Sequence, residues 1–403
     1  MRLLILAAGL PCPPDYGARI RMYYLYGPLA RHHELWWVCP DDGGDARSSA
    51  RMFHRLRVVA PPVSAPPAGL FKRRLARIAG ACTGDHYQQH EEMTSKLACL
   101  LGSDFDAVVV DSERMASYVR MSRPGVPWVL NTQNVPSVVA RRTWQTADGV
   151  RARLRAWLSY RSAFRFEHNL FPRFVAITVV SELEREMLVR RFRGIRAYTV
   201  PNGVDAGLLL RRTSSAVDEH LLNFTGHFGY PPNRDAMRYF CTSVFPVILQ
   251  RDRTVRLELI GKGSREFAAS LPSSLPVSGL GYMDDAPSHI ARASAVVAPF
   301  RIGGGTRIKI LEAIALGTPV VATSVGAEGL ELDASCGLLV ADKAHDFADL
   351  TLQALHDMRL REHASTSGRA RIARNYTWES AARRLESVLR DSVHVLDNPE
   401  RTR

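Results

Sequence analysis

The stretch APFRIGGGTRIKILEAIALGTPVVAT, residues 298–323, leaves this chain few ways to fold. An apolar run ending in Pro299-Phe300 reads as a strand, Gly303-Gly304-Gly305 as a tight loop, and Ile310, Leu311, Ile314 and Ala315 as the apolar face of a helix. Gly317 stops that helix, and Pro319-Val320-Val321-Ala322 opens the next strand. Strand, loop, helix and strand in direct succession build doubly wound α/β sheets. A glycine loop feeding a helix N-terminus lets bare N–H groups approach an anion, and the helix dipole adds a favourable field. Arg307 and Lys309 put positive charge beside that loop, and Glu312 follows where a carboxylate can accept from hydroxyls. The set suits a nucleoside diphosphate carrying a sugar. The alternative is a structural glycine loop, since the pattern is neither a P-loop nor GxGxxG. Lysine sharpens the first reading: the chain has five against 48 arginines, so Lys309 is not background composition.

The same alternation runs along the rest of the chain. Residues 2–8, 34–38, 107–111, 128–131 and 174–179 read as strands, several of them apolar runs of the kind buried on both faces of a parallel sheet. Residues 19–31 read as a helix, a proline-rich connection spans 60–67, and a basic helical stretch spans 70–78. Ser181 with Glu184 three residues on is a capping-box start, and Asn202-Gly203 is a turn. From Leu221 the pattern restarts, with strands at 221–224, 255–260, 295–299, 320–323 and 338–340 and a helix from Pro231 through Phe240 to Leu249. Two starts imply two doubly wound α/β domains, over 1–200 and 201–375, with a final helix and tail over 376–403. Ligands in such sheets bind beyond the carboxyl ends of the strands, where Gly226, Gly261 and Gly303 lie.

At 403 residues the chain has room for both domains, and 46% hydrophobic with 23% charged residues is the composition of a soluble globular protein. No run of 18 apolar residues appears, so no spanning helix is expected. The apolar run 3–10 lacks a basic region and precedes Pro11-Cys12-Pro13-Pro14, so it reads as a buried strand rather than a signal peptide. Cys12, Cys39, Cys82, Cys99, Cys241 and Cys336 have no metal spacing and are most simply reduced thiols of a cytoplasmic protein. A net charge of +13 admits nucleic acid, an anionic membrane surface or acidic small molecules as partners. Neither a recognition helix nor basic residues interleaved with aromatics on a sheet is evident, so nucleic acid is not expected. Residues 141–165, with repeated arginines and Trp144, Leu154, Trp157, Leu158 and Phe164, read as a basic amphipathic helix. It either docks on anionic lipid or is a solvated arginine face over a core stripe.

Several linked segments carry a family resemblance. FTGHFGYPPNRDAMRYF (224–240), LELIGKG (257–263), VSGLGYMDDAPSHIARASAVVAPF (277–300) and the opening segment resemble, in order and spacing, the group-1, GT4-like class of GT-B nucleotide-sugar glycosyltransferases. VPNGVD (200–205) resembles that family's entry to its C-terminal domain, and NYTWES (375–380) the start of the helix that crosses back to the N-terminal domain. PPDYGARIR (13–21), LNTQNVPS (130–137) and VVSELERE (179–186) resemble its N-terminal half more loosely. The resemblance implies two Rossmann-like domains facing a central cleft, the donor on the C-terminal one. By position it implies that Arg307, Lys309 and the loop of Gly303, Gly304, Gly305 and Thr306 hold the diphosphate, the two cations being catalytic. Glu312 then binds the ribose, Gly281, Tyr282 and Met283 border the base, and Gly226 faces the cleft. His227 is either a phosphate contact or a plain loop histidine. On the acceptor side stand Gly17 and Arg19, with Asn131 and Gln133 as cleft hydrogen-bonding groups or a structural turn; Asp111 reads as a helix cap.

Two departures matter. Many relatives carry a glutamate where this chain has Gly304, and a histidine where it has Gln133, so donor-sugar recognition and a general base do not transfer. The activity implied is a retaining, metal-independent glycosyl transfer to a hydroxyl, with a nucleotide-diphosphate sugar as co-substrate and no cofactor. The acceptor is a saccharide or lipid-linked one in bacterial surface polysaccharide or glycolipid synthesis, and the chain is cytoplasmic or peripheral on the inner membrane face. Transfer to a small natural product, a nucleotide-sugar epimerase of the same fold, and a non-catalytic nucleotide-sugar-binding subunit are the alternatives.

Overall fold

Apolar runs too short for helices, such as Leu3–Leu6 in one and Ala295–Ala298 in the other, are buried at the centres of two parallel sheets. The computed structural model describes residues 1–59, 91–211 and 217–397; the connection expected at 60–67 and the basic helix at 70–78 lie outside the described residues. The chain divides into two compact units, Met1–Pro201 together with the chain from Ala381 onward, and Asn202–Ser380.

The N-terminal unit carries β1 (Arg2–Ala7), β2 (Glu34–Pro40), β3 (Arg55–Val59), β4 (Ala107–Asp111), β5 (Trp128–Asn131), β6 (Ala176–Val179) and β7 (Ala197–Thr199), in the spatial order β3-β2-β1-β4-β5-β6-β7. The C-terminal unit carries β8 (Asp218–Thr225), β9 (Arg256–Ile260), β10 (Val277–Gly281), β11 (Ala293–Ala298), β12 (Val320–Ala322) and β13 (Leu338–Val340), ordered β10-β9-β8-β11-β12-β13. Every described pairing is parallel, so helices must make the crossovers and cover both faces. In each sheet the order reverses beside the first strand, between β1 and β4 and between β8 and β11. That reversal opens a crevice at the strand carboxyl ends.

Each unit has its own core. Trp36, Val108, Val110, Trp128, Phe166 and Phe171 belong to the first, and Phe224, Phe240, Phe245, Val297, Ile310 and Ile314 to the second. The helix expected from Pro231 to Leu249 is real but interrupted: Pro231–Tyr239 and Phe245–Arg251 are joined by a π turn, Phe240–Val244. Pro246 is the cause, because its missing N–H cannot bond back into the preceding turn. Three strands are absent from the reading of the sequence, and all three are edges: β3, Arg-Leu-Arg-Val-Val, the three-residue β7, and β10, Val-Ser-Gly-Leu-Gly, which has too few β-forming side chains to announce itself.

Candidate functional site

In the C-terminal unit the loops after β8, β9 and β10 are stitched by their backbones. The Gly226 N–H donates to the Ile260 carbonyl at 2.8 Å, and the Gly261 N–H to the Gly281 carbonyl at 2.7 Å. Gly261 has φ +125°, and a Cβ there would sit 2.1 Å from the Gly226 oxygen, so only glycine fits. Across the reversal, β11 runs into Phe300 and then the glycine loop, with Gly303 at φ +143° and Gly305 at φ +66°.

The Ile308–Ala315 helix leaves that loop with Arg307 as its N-cap residue and no side chain capping it. Its first turn carries Lys309 toward β8. The Lys309 Nζ donates to Asn233 Oδ1 at 3.1 Å and lies 4.0 Å from the Phe224 ring centroid and 4.8 Å from that of Phe300. Asn233, from the first turn of the Pro231–Tyr239 helix, donates its Nδ2 to the His227 carbonyl at 2.8 Å. A Cβ on Gly226 would come within 2.8 Å of Asn233 Nδ2 and 2.9 Å of Lys309 Nζ. Gly226, Asn233 and Lys309 therefore form one contact, which the two central strands and two helices aim at the reversal point. Asn233 was missed from sequence; its only signal is a polar residue behind Pro231-Pro232 in a helix's first turn.

Lys309 and Glu312, nearly one turn apart, are half-buried. Burial pushes the Lys309 ammonium down to about 7, aided by the like charge of Arg307 and opposed by Glu312. Burial pushes the Glu312 carboxyl up to about 7, opposed by Lys309. A lysine that titrates near neutrality in the first turn of a helix is poised to gain from an anion.

The other expected donor residues lie around this centre with specific jobs. The Arg307 guanidinium turns back on its own loop, donating to the Gly304 carbonyl, to Gly305 O at 3.1 Å and to Val325 O at 3.5 Å, and covers the Phe300 ring at 5.0 Å. It braces the loop, rather than standing beside it as the mobile charge the sequence suggested. The Thr306 carbonyl and hydroxyl both accept from Asn202 Nδ2, at 3.2 and 3.0 Å. The His227 Nδ1 accepts from the Gly229 N–H at 3.0 Å, so the ring folds over its own loop. Gly281 (φ +83°) lies under the Arg265 side chain, with Tyr282 exposed and Met283 half-buried after it.

In the N-terminal unit the structure redistributes roles. Asn131 is wholly buried, and its amide is fully used. Oδ1 accepts from Arg21 at 3.0 Å and Thr178 at 2.7 Å, while Nδ2 donates to Asp111 at 2.5 Å and Tyr26 at 3.2 Å. Asn131 is the last residue of β5, not part of a turn, and belongs to this buried network. Asp111 is not the helix cap expected; Ser112 takes that place, its Oγ accepting from the Arg114 N–H at 3.3 Å. Asp111 instead accepts from Tyr26 Oη at 2.8 Å, and burial raises its carboxyl against the opposing pull of Tyr26 and Arg21. The buried Arg21 guanidinium, unnoticed in the sequence, also donates to the Val200 and Pro201 carbonyls at 3.0 and 3.3 Å. Arg19 is bound by Asp42 at 2.9 Å and Asp15 at 3.3 Å over the Tyr16 ring, so its charge is locally matched. Gly17 opens the Gly17–Ala30 helix and is exposed. Gln133 is half-buried, its backbone N–H 3.4 Å from the buried Glu113 carboxylate, which burial raises. Among the described residues no group of three or more His, Cys, Asp or Glu could hold a metal ion.

Residues 219–357 match the family model of the glycosyl transferases group 1, across the strands and loops that build this site. This region is similar to the group-1 glycosyltransferases. Curated relatives of this chain include a phosphatidyl-myo-inositol mannosyltransferase of Mycobacterium leprae, 31% identical over 218 residues, 52% of this chain and 57% of that protein. The protein of the same description from Mycolicibacterium smegmatis is 30% identical over 227 residues, 52% of this chain and 55% of that one. The chain thus aligns with little more than half the length of these relatives. Among solved structures, sucrose-phosphate synthase from Thermosynechococcus elongatus is similar at TM-score 0.68 and 16% identity, over 97% of this chain and 99% of that one. WaaG, described as a glycosyltransferase involved in lipopolysaccharide biosynthesis, is similar at TM-score 0.62 and 15% identity, over 96% and 99%. At these identities the likeness is one of fold: two doubly wound parallel-sheet domains of the GT-B type.

Proposed function

We propose that this chain is a glycosyltransferase that moves a sugar from a nucleotide-diphosphate donor to a hydroxyl of a saccharide or lipid-linked acceptor. The observation that carries the reading is the meeting of Lys309, Asn233 and Gly226 at the β8–β11 reversal, with Lys309 in the first turn of an uncapped helix and nearly one turn from Glu312. Breaking the glycosidic bond leaves a diphosphate anion. Lys309, protonated as that charge develops, and the amides of the glycine loop and helix start stabilise it, with Arg307 holding the loop in shape. Removing one such preorganised donor typically costs about 2.7–4 kcal/mol of barrier. Glu312 accepts from the ribose hydroxyls, and the Gly281–Met283 turn borders the base. We read the fixed positive charge as taking the part a metal plays elsewhere, and a retaining outcome rests on the family resemblance.

The named activities of the relatives support this class of reaction. Two concern lipid-borne or surface glycans, the mannosyltransferases by description and WaaG by title. An Anabaena structure similar at TM-score 0.66 and 14% identity holds UDP and glucose. We infer a surface glycan or glycolipid as product and a cytoplasmic chain, peripheral to the membrane. No helix among the described residues is long and apolar enough to cross one. The test is calorimetric titration of UDP, GDP, TDP and ADP with EDTA present, followed by donor turnover assays with candidate acceptors. One nucleotide binding selectively, and free nucleoside diphosphate appearing only with an acceptor, is the expected result. Failure of all four to bind overturns the reading.

A further inference from the structure

Three consecutive glycines give a loop great backbone freedom, so amides that are to meet a diphosphate there must be held in place by other residues. Gly303 at φ +143° and Gly305 at φ +66° show how far this loop departs from ordinary backbone. Arg307 braces it from within, through the Gly304 and Gly305 carbonyls of its own segment. Its reach outward to the Val325 carbonyl, at 3.5 Å, is long for a hydrogen bond. A brace that belongs to the loop shapes it and also travels with it. Fixing the loop against the rest of the unit calls for a firmer partner elsewhere in the chain.

Asn202 is such a partner, 104 positions from Thr306. Its Nδ2 donates to the Thr306 carbonyl at 3.2 Å and to the Thr306 hydroxyl at 3.0 Å, and an amide nitrogen has hydrogens for both. Both residues are buried. Thr306 lies between the last glycine of the loop and Arg307, the N-cap residue of the Ile308–Ala315 helix. It is therefore the joint at which loop amides and helix amides meet. Asn202 in turn is held by the residues that follow it. A Cβ on Gly203 would lie 2.5 Å from the Trp378 nitrogen and 2.6 Å from the Thr377 carbonyl carbon, so two backbones touch there. Val204, also buried, donates its N–H to the Tyr376 carbonyl at 2.8 Å, and the Tyr376 hydroxyl accepts from the Glu331 N–H at 2.8 Å. The Asn202-Gly203 pair, which reads as a turn in the sequence, is no turn here. The glycine admits a second backbone, and the asparagine grips the loop.

We propose that Asn202 is a positioning residue for the diphosphate: it fixes Thr306, and through it the amides of the glycine loop and the helix start, in the arrangement that receives the anion. The inference rests on the nucleotide-diphosphate reading of this site. An amide suits the task because it donates without carrying charge. An aspartate of the same shape would set a carboxylate against the Thr306 carbonyl and add negative charge beside the incoming phosphates.

The test compares Asn202→Ala and Asn202→Asp with the parent by calorimetric titration of UDP, GDP, TDP and ADP in EDTA. The nucleoside of whichever one binds is titrated by NMR. Both variants should weaken the nucleoside diphosphate at least about tenfold, leave the nucleoside's affinity unchanged, and keep the parent's circular dichroism. A residue that only supports the fold would move both affinities together or neither, and that result would overturn the proposal. Thr306→Val removes the hydroxyl acceptor without touching the chain at 202, so it tests the contact even where an Asn202 variant fails to fold. It should lose part of the same affinity, and combining it with Asn202→Ala should cost nothing further. Independently of any nucleotide, trypsin cleavage after Arg301 and Arg307, mapped by mass spectrometry, should be faster in Asn202→Ala than in the parent. A parent that binds a nucleotide no better than its Asn202 variants overturns this inference and leaves the donor reading intact. A parent that binds none of the four overturns the donor reading; unchanged cleavage at the loop then removes the brace as well, and faster cleavage keeps it.

Discussion

Gly226 shows how little room the candidate site leaves. Adding a methyl there would press on the Lys309 ammonium and the Asn233 amide, both flexible side-chain ends, and not on backbone. Gly226→Ala should therefore barely change the melting temperature yet weaken nucleotide binding at least about tenfold, as displacing preorganised donors does; unchanged affinity in a titration would remove Gly226 from the site. Lys309→Ala and Glu312→Ala should each show a similar loss without unfolding. The Lys309 pKa adds a pH signature. Below about 7 the ammonium is already charged. Above it, an arriving diphosphate raises the pKa and draws in a proton, so affinity falls as pH climbs past neutrality. Calorimetry at about pH 8 in buffers of different ionisation enthalpy should report proton uptake that Glu312→Gln keeps and Lys309→Ala loses; buffer-independent heats would contradict it. Lys309 and the glycines stood out in the sequence because they are rare or conformationally marked. Asn233, Arg21 and Glu113 did not, because their roles come from partners far away in the chain, Arg21 meeting Asn131 across 110 positions.

At the scale of elements, the long apolar strands and the glycine loop could be read from local chemistry. The edge strands β3 and β10 could not, since pairing to a neighbour rather than their own residues makes them strands. The Gly17–Ala30 helix illustrates a tertiary lock. Arg21 and Tyr26 on that helix join Asp111 and Asn131 at the ends of β4 and β5, every one of them buried. Arg21→Met would strand the Asp111 carboxylate without its counter-charge, a change expected to cost about 3–5 kcal/mol. Chemical denaturation should show that loss. Asp111→Asn in the same chain should recover part of it, because the double variant carries no unpaired buried charge. A single variant as stable as the parent would mean the network is not holding the helix.

For the whole molecule, two separate cores predict two separable unfolding steps in calorimetry. A nucleotide present at about 100 times its dissociation constant should stabilise the C-terminal step by about 2.7 kcal/mol and leave the other in place. A single transition that moves as one would refute this. The chain passes between the units twice. The chain enters the C-terminal unit at Asn202 and leaves it after Ser380, and these two passages run side by side: Val204 bridges Thr377, and its N–H donates to the Tyr376 carbonyl at 2.8 Å. The N-terminal unit then takes back the remainder of the Trp378–Asp397 helix, including Leu385 and Leu389, both fully buried, and Glu386, which pairs with His33 at 3.1 Å. On the ribosome, the half that is started first must therefore wait. Its Trp378–Asp397 helix emerges only after the whole C-terminal unit has been made, so that unit is free to fold first and the N-terminal unit is completed afterwards.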